Sequence, residues 1–381
     1  MAVPRTDRSI FGRWWWTVDR WTLLAIAVLI AFGALMALAA SPAVASRIRL
    51  ESFSLFRQHF ALLPIVGLTL VGVSLLDVRG VRRLAVFGML GGLVLLAATL
   101  VIGTEIKGAT RWISLAGFSL QPSEFVKPCF AVVSAWMFSL QHGAQRLPGN
   151  AIAIALYGLV MGLILLQPDL GMAVVVTATW FAQFFLAGLS LIWVGALVVV
   201  GIAGLVGTYF AFEHVRDRID SFLDPAAGDR YQIDRSLEAF ANGGWFGRGP
   251  GEGTVKLVLP DAHSDFVFSV LGEEFGTVTG LLIVAIFAFV ILRGMARLLN
   301  EQNLFVLLAA AGLLVSFGLQ AAINMASSLS MIPTKGMTLP FISYGGSSLI
   351  ALSLAMGMLL ALTRRRPRMG PGMGPGMGDF A

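Results

Sequence analysis

The residues best placed to do chemistry are three carboxylates associated with one predicted helix. Asp265 closes the run 259–265, and Glu273 and Glu274 follow about 12 and 14 Å further along the helix. A carboxylate at the mouth of a helix can stay ionised and act as a general base. The same position suits an N-cap, because side-chain oxygens there accept hydrogen bonds from unpaired N–H groups. The spacing alone leaves both roles open.

Charged residues also occur at helical spacing in a second region. Glu124 and Lys127 are three residues apart at a predicted helix start, so they can form an ion pair on one face. Such a pair either joins helices or leaves Lys127 to steer a phosphate. Upstream, Lys107 and Arg111 lie beside Trp112 in a predicted loop, where they either meet a substrate or anchor the membrane interface.

Two runs rich in glycine or proline predict irregular backbone. The run 242–253 can offer N–H groups to anions. It is not a nucleotide motif, because no strand precedes it and no Gly-Lys-Ser/Thr follows, and a tightly folded loop is the other interpretation. The run 333–348, which contains Lys335 and Ser343, is typical of re-entrant backbone around a cavity. The histidines are scattered, which argues against a histidine metal site, and His263 alone lies near Asp265.

Composition indicates what must position these residues. Of 381 residues, 57% are hydrophobic and 13% charged, which leaves too little polar surface for a soluble globule. Continuous apolar runs, rather than short alternating ones, predict an all-α integral membrane protein. About ten spans are predicted, at 21–41, 58–76, 83–103, 123–140, 151–167, 170–188, 190–211, 265–293, 303–330 and 346–363.

Arginines at the span ends predict the orientation. Four precede the first span and four follow the last, so both termini are expected to be cytoplasmic. This predicts a cytoplasmic segment at 1–20, a membrane domain at 21–363 with a large outer loop at 212–264 between spans seven and eight, and a disordered cytoplasmic tail at 364–381. The net charge is +6, but the lysines and arginines flank the apolar spans and do not form a basic stripe, which argues against nucleic-acid binding.

Taken together, these motifs closely resemble the SEDS family of shape, elongation, division and sporulation proteins. The resemblance covers about 20–366, and the run 333–340 is similar to the division branch rather than the elongation branch. It is carried by these runs: 107–112, 121–127, 167–169, 231–239, 242–253, 259–266, 272–276 and 333–348.

The resemblance implies a SEDS-type fold and a peptidoglycan glycosyltransferase that polymerises lipid II with inversion at the outer face of the plasma membrane during division. Asp265 stands at the position of the family's essential aspartate, which implies that it acts as the general base. The implied substrate-binding residues are Lys107, Arg111, Glu124, Lys127, Gln232, His263, Lys335 and Ser343.

The implied partners are lipid II, the undecaprenyl-pyrophosphate-linked glycan, a class B penicillin-binding protein and other division proteins, without nucleic acid. No cofactor is assigned; a divalent cation, Mg²⁺ or Mn²⁺, is a candidate whose ligands are unknown. A lipid II flippase and a non-catalytic division scaffold are the alternative functions. A transporter site should lie near the bilayer midplane, whereas Asp265 is predicted at the outer lip.

Overall fold

The structure is a computed structural model that describes residues 9–47, 51, 53–106, 109–115, 118–141, 148–188, 191–211, 216, 219–220, 231–333 and 336–365. Helices dominate it. They are α1 Ile10–Thr17, α2 Arg20–Arg47, α3 Ser54–Ser74, α4 Val78–Ile102, α5 Pro122–Gln141, α6 Gly149–Leu166, α7 Leu170–Leu186, α8 Leu191–Ala211, α9 Tyr231–Gly243, α10 Val267–Leu298, α11 Leu304–Ser328 and α12 Gly346–Leu362.

Membrane crossing follows from the length and composition of these helices. Among the described residues, 6 helices are long and apolar enough to cross a membrane, namely α2, α3, α4, α6, α10 and α11. The shorter helices α7 and α12 are apolar as well. The chain is therefore a multi-pass membrane protein, and the count of ten spans stays a prediction.

The predicted outer loops contain secondary structure that the sequence did not indicate. Between α4 and α5 lies an antiparallel sheet of β1 Thr104–Ile106, β2 Ala109–Leu115 and β3 Phe118–Leu120, in the order β1-β2-β3. Within the predicted loop 212–264, α9 and a 3₁₀ turn at Val255–Leu257 pack beside α10. Most of 212–230, all of 1–8 and all of 366–381 lie outside the described residues.

Helices α5 and α11 form the centre of the bundle. In α11, 72% of the most apolar 18-residue stretch is buried inside the protein, against 17–39% of the corresponding stretch in α2, α3, α4, α6 and α10. Helix α5 packs against α4, α11 and α12, and it buries both its apolar and its charged residues. Polar side chains on these two helices therefore face protein.

Helix α10 is broken near its start. Gly276 has φ 79° and ψ 175°, a conformation that is accessible essentially to glycine alone. The N–H groups of Thr277 and Val278 do not bond within the helix there. They donate to the carbonyls of Gly244 and Trp245, at 2.9 and 3.1 Å. The glycine-rich loop thus supplies the acceptors that the helix lacks at the break.

The same loop also donates hydrogen bonds to helical carbonyls on the other side of the break. The carbonyls of Glu273 and Glu274 accept from the N–H groups of Arg248 and Gly249, at 2.9 and 3.0 Å. Gly247 has φ 82°, and its backbone packs against the helix at this point. Two helical hydrogen bonds are therefore exchanged for four bonds to the loop, which give partners to two donors and two acceptors at the break.

Candidate active site

Asp265 lies in a tight turn that leads into α10. The carbonyl of Asp261, at φ 52°, accepts from the N–H groups of Ser264, Asp265 and Phe266 at 3.1, 3.0 and 3.3 Å. Helix α10 begins at Val267 with Phe266 as its N-cap, and Phe266 has no side chain that can cap. The cap position in the alternative interpretation thus belongs to Phe266, while the half-buried Asp265 precedes it.

The loop between α11 and α12 is fixed to this turn by hydrogen bonds. The Ser343 hydroxyl donates to the carbonyl of Ser264 at 2.5 Å and accepts from the Leu339 N–H at 2.7 Å. The Tyr344 N–H donates to the carbonyl of His263 at 2.9 Å, and the two rings lie 5.4 Å apart. Ser343 is only 2% exposed, so it staples loop to turn and is not a substrate contact in the proposal below.

An amide on α11 joins the same two segments. Asn324 is fully buried, and its Nδ2 donates to the carbonyls of Asp265 at 2.9 Å and Met337 at 2.6 Å. Gly336 brings the loop against the carboxylate itself, since a Cβ at this glycine would lie 3.1 Å from Oδ2 of Asp265. The backbone around Asp265 is therefore held by a neutral clamp, with the loop as one wall of the site.

Behind the loop, a chain of polar contacts crosses the core. Lys127 Nζ lies 3.0 Å from Glu124 Oε2 and donates to Gln320 Oε1 at 2.5 Å. Gln320 Nε2 donates to the carbonyl and hydroxyl of Thr338, both at 3.1 Å, and that hydroxyl lies 2.7 Å from the hydroxyl of Ser348. The Glu124 and Lys127 side chains are 7% and 5% exposed, so the predicted ion pair exists and is buried.

Arg111 on β2 reaches the turn between α6 and α7. It donates to the carbonyls of Gln167 at 3.3 Å and Pro168 at 2.6 Å, and its Nη1 lies 3.7 Å from Asp169 Oδ1. Its side chain remains 26% exposed. These contacts anchor the sheet on the bundle, and the exposed part of the guanidinium keeps donors for a further group.

Glu273 and Glu274 hold the glycine-rich loop rather than facing an open site. Glu273 Oε1 accepts from the N–H groups of residues 254–255, at 2.9 and 3.1 Å. Lys256 Nζ donates to Glu274 Oε1 at 2.5 Å, to the carbonyl of Gly251 at 2.9 Å and to a carbonyl of α2 at 3.0 Å. These three side chains are buried, so among the carboxylates singled out above only Asp265 is half-exposed.

The remaining predicted residues divide into two groups. Gln232 is half-buried on α9, one turn before Ser236, whose hydroxyl lies 2.5 Å from both the Ser269 hydroxyl and the Ser328 carbonyl. Lys107 and Lys335 lie outside the described residues. The described residues contain no group of three or more His, Cys, Asp or Glu side chains that could hold a metal, so no step is assigned to one.

The arrangement can therefore present one oriented carboxylate at the end of a membrane helix. Its described neighbours include the turn, Gly336 of the next loop and the neutral amide of Asn324. A transporter site would require such a group near the middle of a span, whereas Asp265 precedes the first residue of α10.

Comparison with known proteins gives the family of this chain. The FTSW_RODA_SPOVE model, described as cell cycle protein, matches residues 20–367. The chain belongs to this family. Among its relatives, the SEDS proteins, is a probable peptidoglycan glycosyltransferase FtsW of Caulobacter vibrioides, 47% identical over 371 residues that cover 96% of this chain and 94% of the relative. The protein of the same description from Coxiella burnetii is 38% identical and covers 91% and 96%.

Solved structures share the fold of this SEDS chain. A chain from a study of the structural coordination of polymerization and crosslinking by a peptidoglycan synthase complex matches with a TM-score of 0.72 at 27% identity, covering 91% of this chain and 97% of that one. The rod shape determining protein RodA of Thermus thermophilus matches with a TM-score of 0.66 at 28% identity, covering 92% and 97%. The predicted SEDS-type helical membrane fold is thus confirmed.

Three functional positions escaped the sequence prediction. Gln320 and Asn324 were not predicted as site residues, although both are fully buried on α11. Their spacing of four residues, which places two amides on one face of an apolar helix, was the available signal. Lys256, the buried partner of Glu274, carried no local signal, because its partner is eighteen residues away.

Proposed function

We propose that this chain is a peptidoglycan glycosyltransferase that polymerises lipid II at the outer face of the plasma membrane during cell division. The observation that carries the proposal is the half-exposed carboxylate of Asp265, held at the end of α10 against Gly336 of the next loop. The FtsW description of relatives in two bacteria supports the division role.

In the proposed reaction, Asp265 takes the proton from the 4-hydroxyl of the acceptor's N-acetylglucosamine. The resulting oxygen attacks the anomeric carbon of the donor sugar from the face opposite the pyrophosphate. The glycosidic bond forms, the bond to pyrophosphate breaks, and the configuration at that carbon inverts. Undecaprenyl pyrophosphate leaves as an anion and needs no protonating acid, which accounts for one key carboxylate instead of a pair.

The protein's contribution is alignment and charge. The Asn324 clamp fixes the backbone of Asp265, so the base is oriented before substrate arrives. Of the cations predicted to meet the pyrophosphate, Arg111 has exposed donors, whereas Lys127 is occupied by Glu124 and Gln320. We therefore assign Lys127 to holding the core beneath the loop, and Arg111 together with Lys335 to the leaving group.

The proposal includes the setting of the enzyme. Both termini are cytoplasmic, the Asp265 end of the bundle faces outward, and the protein works at the division septum with a class B penicillin-binding protein that cross-links the new strands. The solved complex that couples polymerization to crosslinking, and contains a chain of similar fold, supports this pairing.

The deciding experiment is glycan-strand formation from purified lipid II by the reconstituted protein with its transpeptidase partner. Asp265→Asn removes the base with almost no change in shape, and we expect polymer to fall by at least about a hundredfold. The matched control is Asp261→Asn in the same turn. Asparagine tolerates the positive φ of this position, so the control should keep wild-type activity.

Equal polymer from wild type and Asp265→Asn would reject the base assignment. Absence of polymer from a folded wild-type protein with its partner would reject the polymerase function, and a lipid II flipping assay on the same vesicles would then test the transporter alternative.

A further inference from the structure

A second chemically distinctive region lies at the other end of α10. An open cavity of about 1190 Å³ is bounded by the last turns of α10, the connection to α11 and the C-terminal end of α12. Asp265 precedes Val267, the first residue of α10, and this cavity is lined by residues up to Leu298, its last. The two sites are therefore separated by the length of a helix that spans the bilayer, on the order of 40 Å.

Cations outnumber anions in the lining of this cavity. Arg293, Arg297, Arg364 and Arg365 contribute to its wall, and Glu301 is the acidic residue among the lining side chains. We call these four arginines and the space between them the arginine pocket. Four guanidinium groups at one membrane end create a local positive potential that favours an anion.

One carboxylate behind the wall positions two of these arginines. Asp19, which is 1% exposed, accepts from Arg293 Nε at 2.7 Å and lies 2.7 Å from Arg297 Nε. The two arginine side chains remain 31% and 20% exposed. A single negative charge thus orients two guanidinium groups without neutralising both, and each guanidinium has five N–H donors in total.

The other two arginines are held through contacts that leave their charge uncompensated. Arg364 donates to the Thr17 hydroxyl at 3.0 Å and to the carbonyl of Leu75 at 3.2 Å, and both acceptors are neutral. Arg365 is exposed, and its backbone N–H bonds to the carbonyl of Thr17 at 3.0 Å. The pocket is therefore preorganised by the fold and retains a positive charge.

An apolar surface continues from the charged wall. Phe289 and Leu292 line the same cavity and are 41% and 68% exposed, on a helix long enough to cross the membrane. A small soluble anion has no use for such a surface. A phospholipid does, because its phosphate can meet the arginines while its acyl chains lie along the helix, and basic pockets between membrane helices are typical headgroup sites.

The chain that follows the pocket is a poorer occupant. The residues after Arg365 include Arg366 and Arg368, so this segment brings like charge to the pocket. We propose that the arginine pocket binds the phosphate of an anionic phospholipid from the leaflet at this end of the bundle. The site is independent of the polymerase reaction, and its occupancy can be measured without lipid II.

The test is lipid retention by the full-length protein in a neutral detergent, measured by native mass spectrometry with phosphatidylglycerol and with phosphatidylcholine of the same acyl chains. Wild type should retain the anionic lipid preferentially. Arg365→Gln should weaken phosphatidylglycerol binding about fivefold, and Arg364→Gln with Arg365→Gln more strongly, because each arginine near the surface contributes a comparable increment. Arg83→Gln, at an exposed arginine near the start of α4, is the matched control and should bind as wild type.

The proposal would be overturned by equal retention of both lipids by wild type, or by equal losses in Arg365→Gln and Arg83→Gln. The comparison of lipids requires no variant, so it remains decisive if a substitution impairs folding. Glycerol 3-phosphate separates the sources of phosphate. If it raises the unfolding temperature as much as phosphatidylglycerol does at equal concentration, the pocket is a soluble-anion site and the lipid assignment is wrong.

Discussion

The two ends of α10 are held by different kinds of interaction, and each leaves a different charge available. At the Asp265 end, the turn that carries the carboxylate is fixed by neutral groups: Asn324 and Ser343 bond to its main-chain carbonyls. At the arginine pocket, ion pairs position the side chains, because Asp19 binds both Arg293 and Arg297. Asn324 and Ser343 fix the turn through its main chain and bring no charge of their own, whereas the ionic cluster at the arginine pocket is held by charges and keeps a net positive charge that attracts an anion.

The Glu124–Lys127 pair is one of the buried ion pairs behind the Asp265 site, and breaking it should have the largest effect. Lys127→Met leaves a buried carboxylate without its cation, which we expect to lower the free energy of unfolding by about 3–5 kcal/mol. Thermal unfolding in detergent measures this directly. The double variant Glu124→Gln with Lys127→Met removes both charges and should recover most of the loss.

That double variant also separates the two roles left open for the pair. If Lys127 only holds helices together, polymerisation of lipid II should recover along with stability. Recovery of stability without recovery of activity would contradict our assignment and show that Lys127 acts on the substrate.

The next largest effect should come from the break in α10, where backbone contacts replace charge. In Gly276→Ala the Cβ would collide with backbone atoms of Gly247 and Trp245, at a φ of 79°. We expect a loss of at least about 2 kcal/mol of unfolding free energy, together with reduced activity, because the loop that leads to Asp265 is displaced.

Gly280→Ala is the control for this prediction, four residues further along the same helix. A Cβ at Gly280 has its nearest described neighbours at an ordinary 3.7 Å, and alanine favours the helix, so this variant should be as stable as wild type. Equal destabilisation by the two substitutions would mean that α10 tolerates no side chain on this face, whatever its backbone conformation.

The smallest effect should appear at the arginine pocket. Asp19→Asn should cost about 1–2 kcal/mol at neutral pH, since both arginines are partly exposed and solvent screens the pairs. Burial alone would raise the pKa of Asp19, but the hydrogen bond from Arg293 and the charge of Arg297 outweigh it and hold the pKa below the ordinary value of 3.8.

The lowered pKa of Asp19 predicts how its contribution to stability changes with pH. A carboxylate with a depressed folded pKa contributes stability above its unfolded pKa and loses it as the pH falls through the folded value. The difference in unfolding temperature between wild type and Asp19→Asn should therefore be constant near neutral pH and shrink below 3.8. A difference that persists unchanged in acid would show that the ion pairs are not its source.

The sequence was informative where a residue type is unusual for its surroundings. Charged residues in an apolar chain, such as Glu124 and Lys127, and the density of proline and glycine at 333–348 stand out without any knowledge of the fold. The ion pair and the meeting of that loop with the Asp265 turn are both present in the structure. The general-base role of Asp265 stays a prediction until the lipid II assay.

The remainder depended on long-range contacts that no local pattern reports. Gly272 and Gly276 occur in one run, and only docking of the distant run 244–249 determines that Gly276 takes the positive φ. The short strands at 104–120 pair with one another over few residues and carry little periodic signal. The spacing of Gln320 and Asn324 indicates a shared face of α11, but the role of Asn324 depends on two carbonyls from other segments.

The break in α10 also has a consequence for how the chain is assembled in the bilayer. Residues 277–292, beyond the break, contain no charged side chain, so this part of the helix is apolar enough to direct membrane insertion. Glu273 and Glu274 precede the break and therefore need not enter the hydrocarbon core. The short part of the helix before the break cannot complete its hydrogen bonds until the loop 244–249 has docked. We therefore expect the turn that bears Asp265 to mature last, after the surrounding spans are in place.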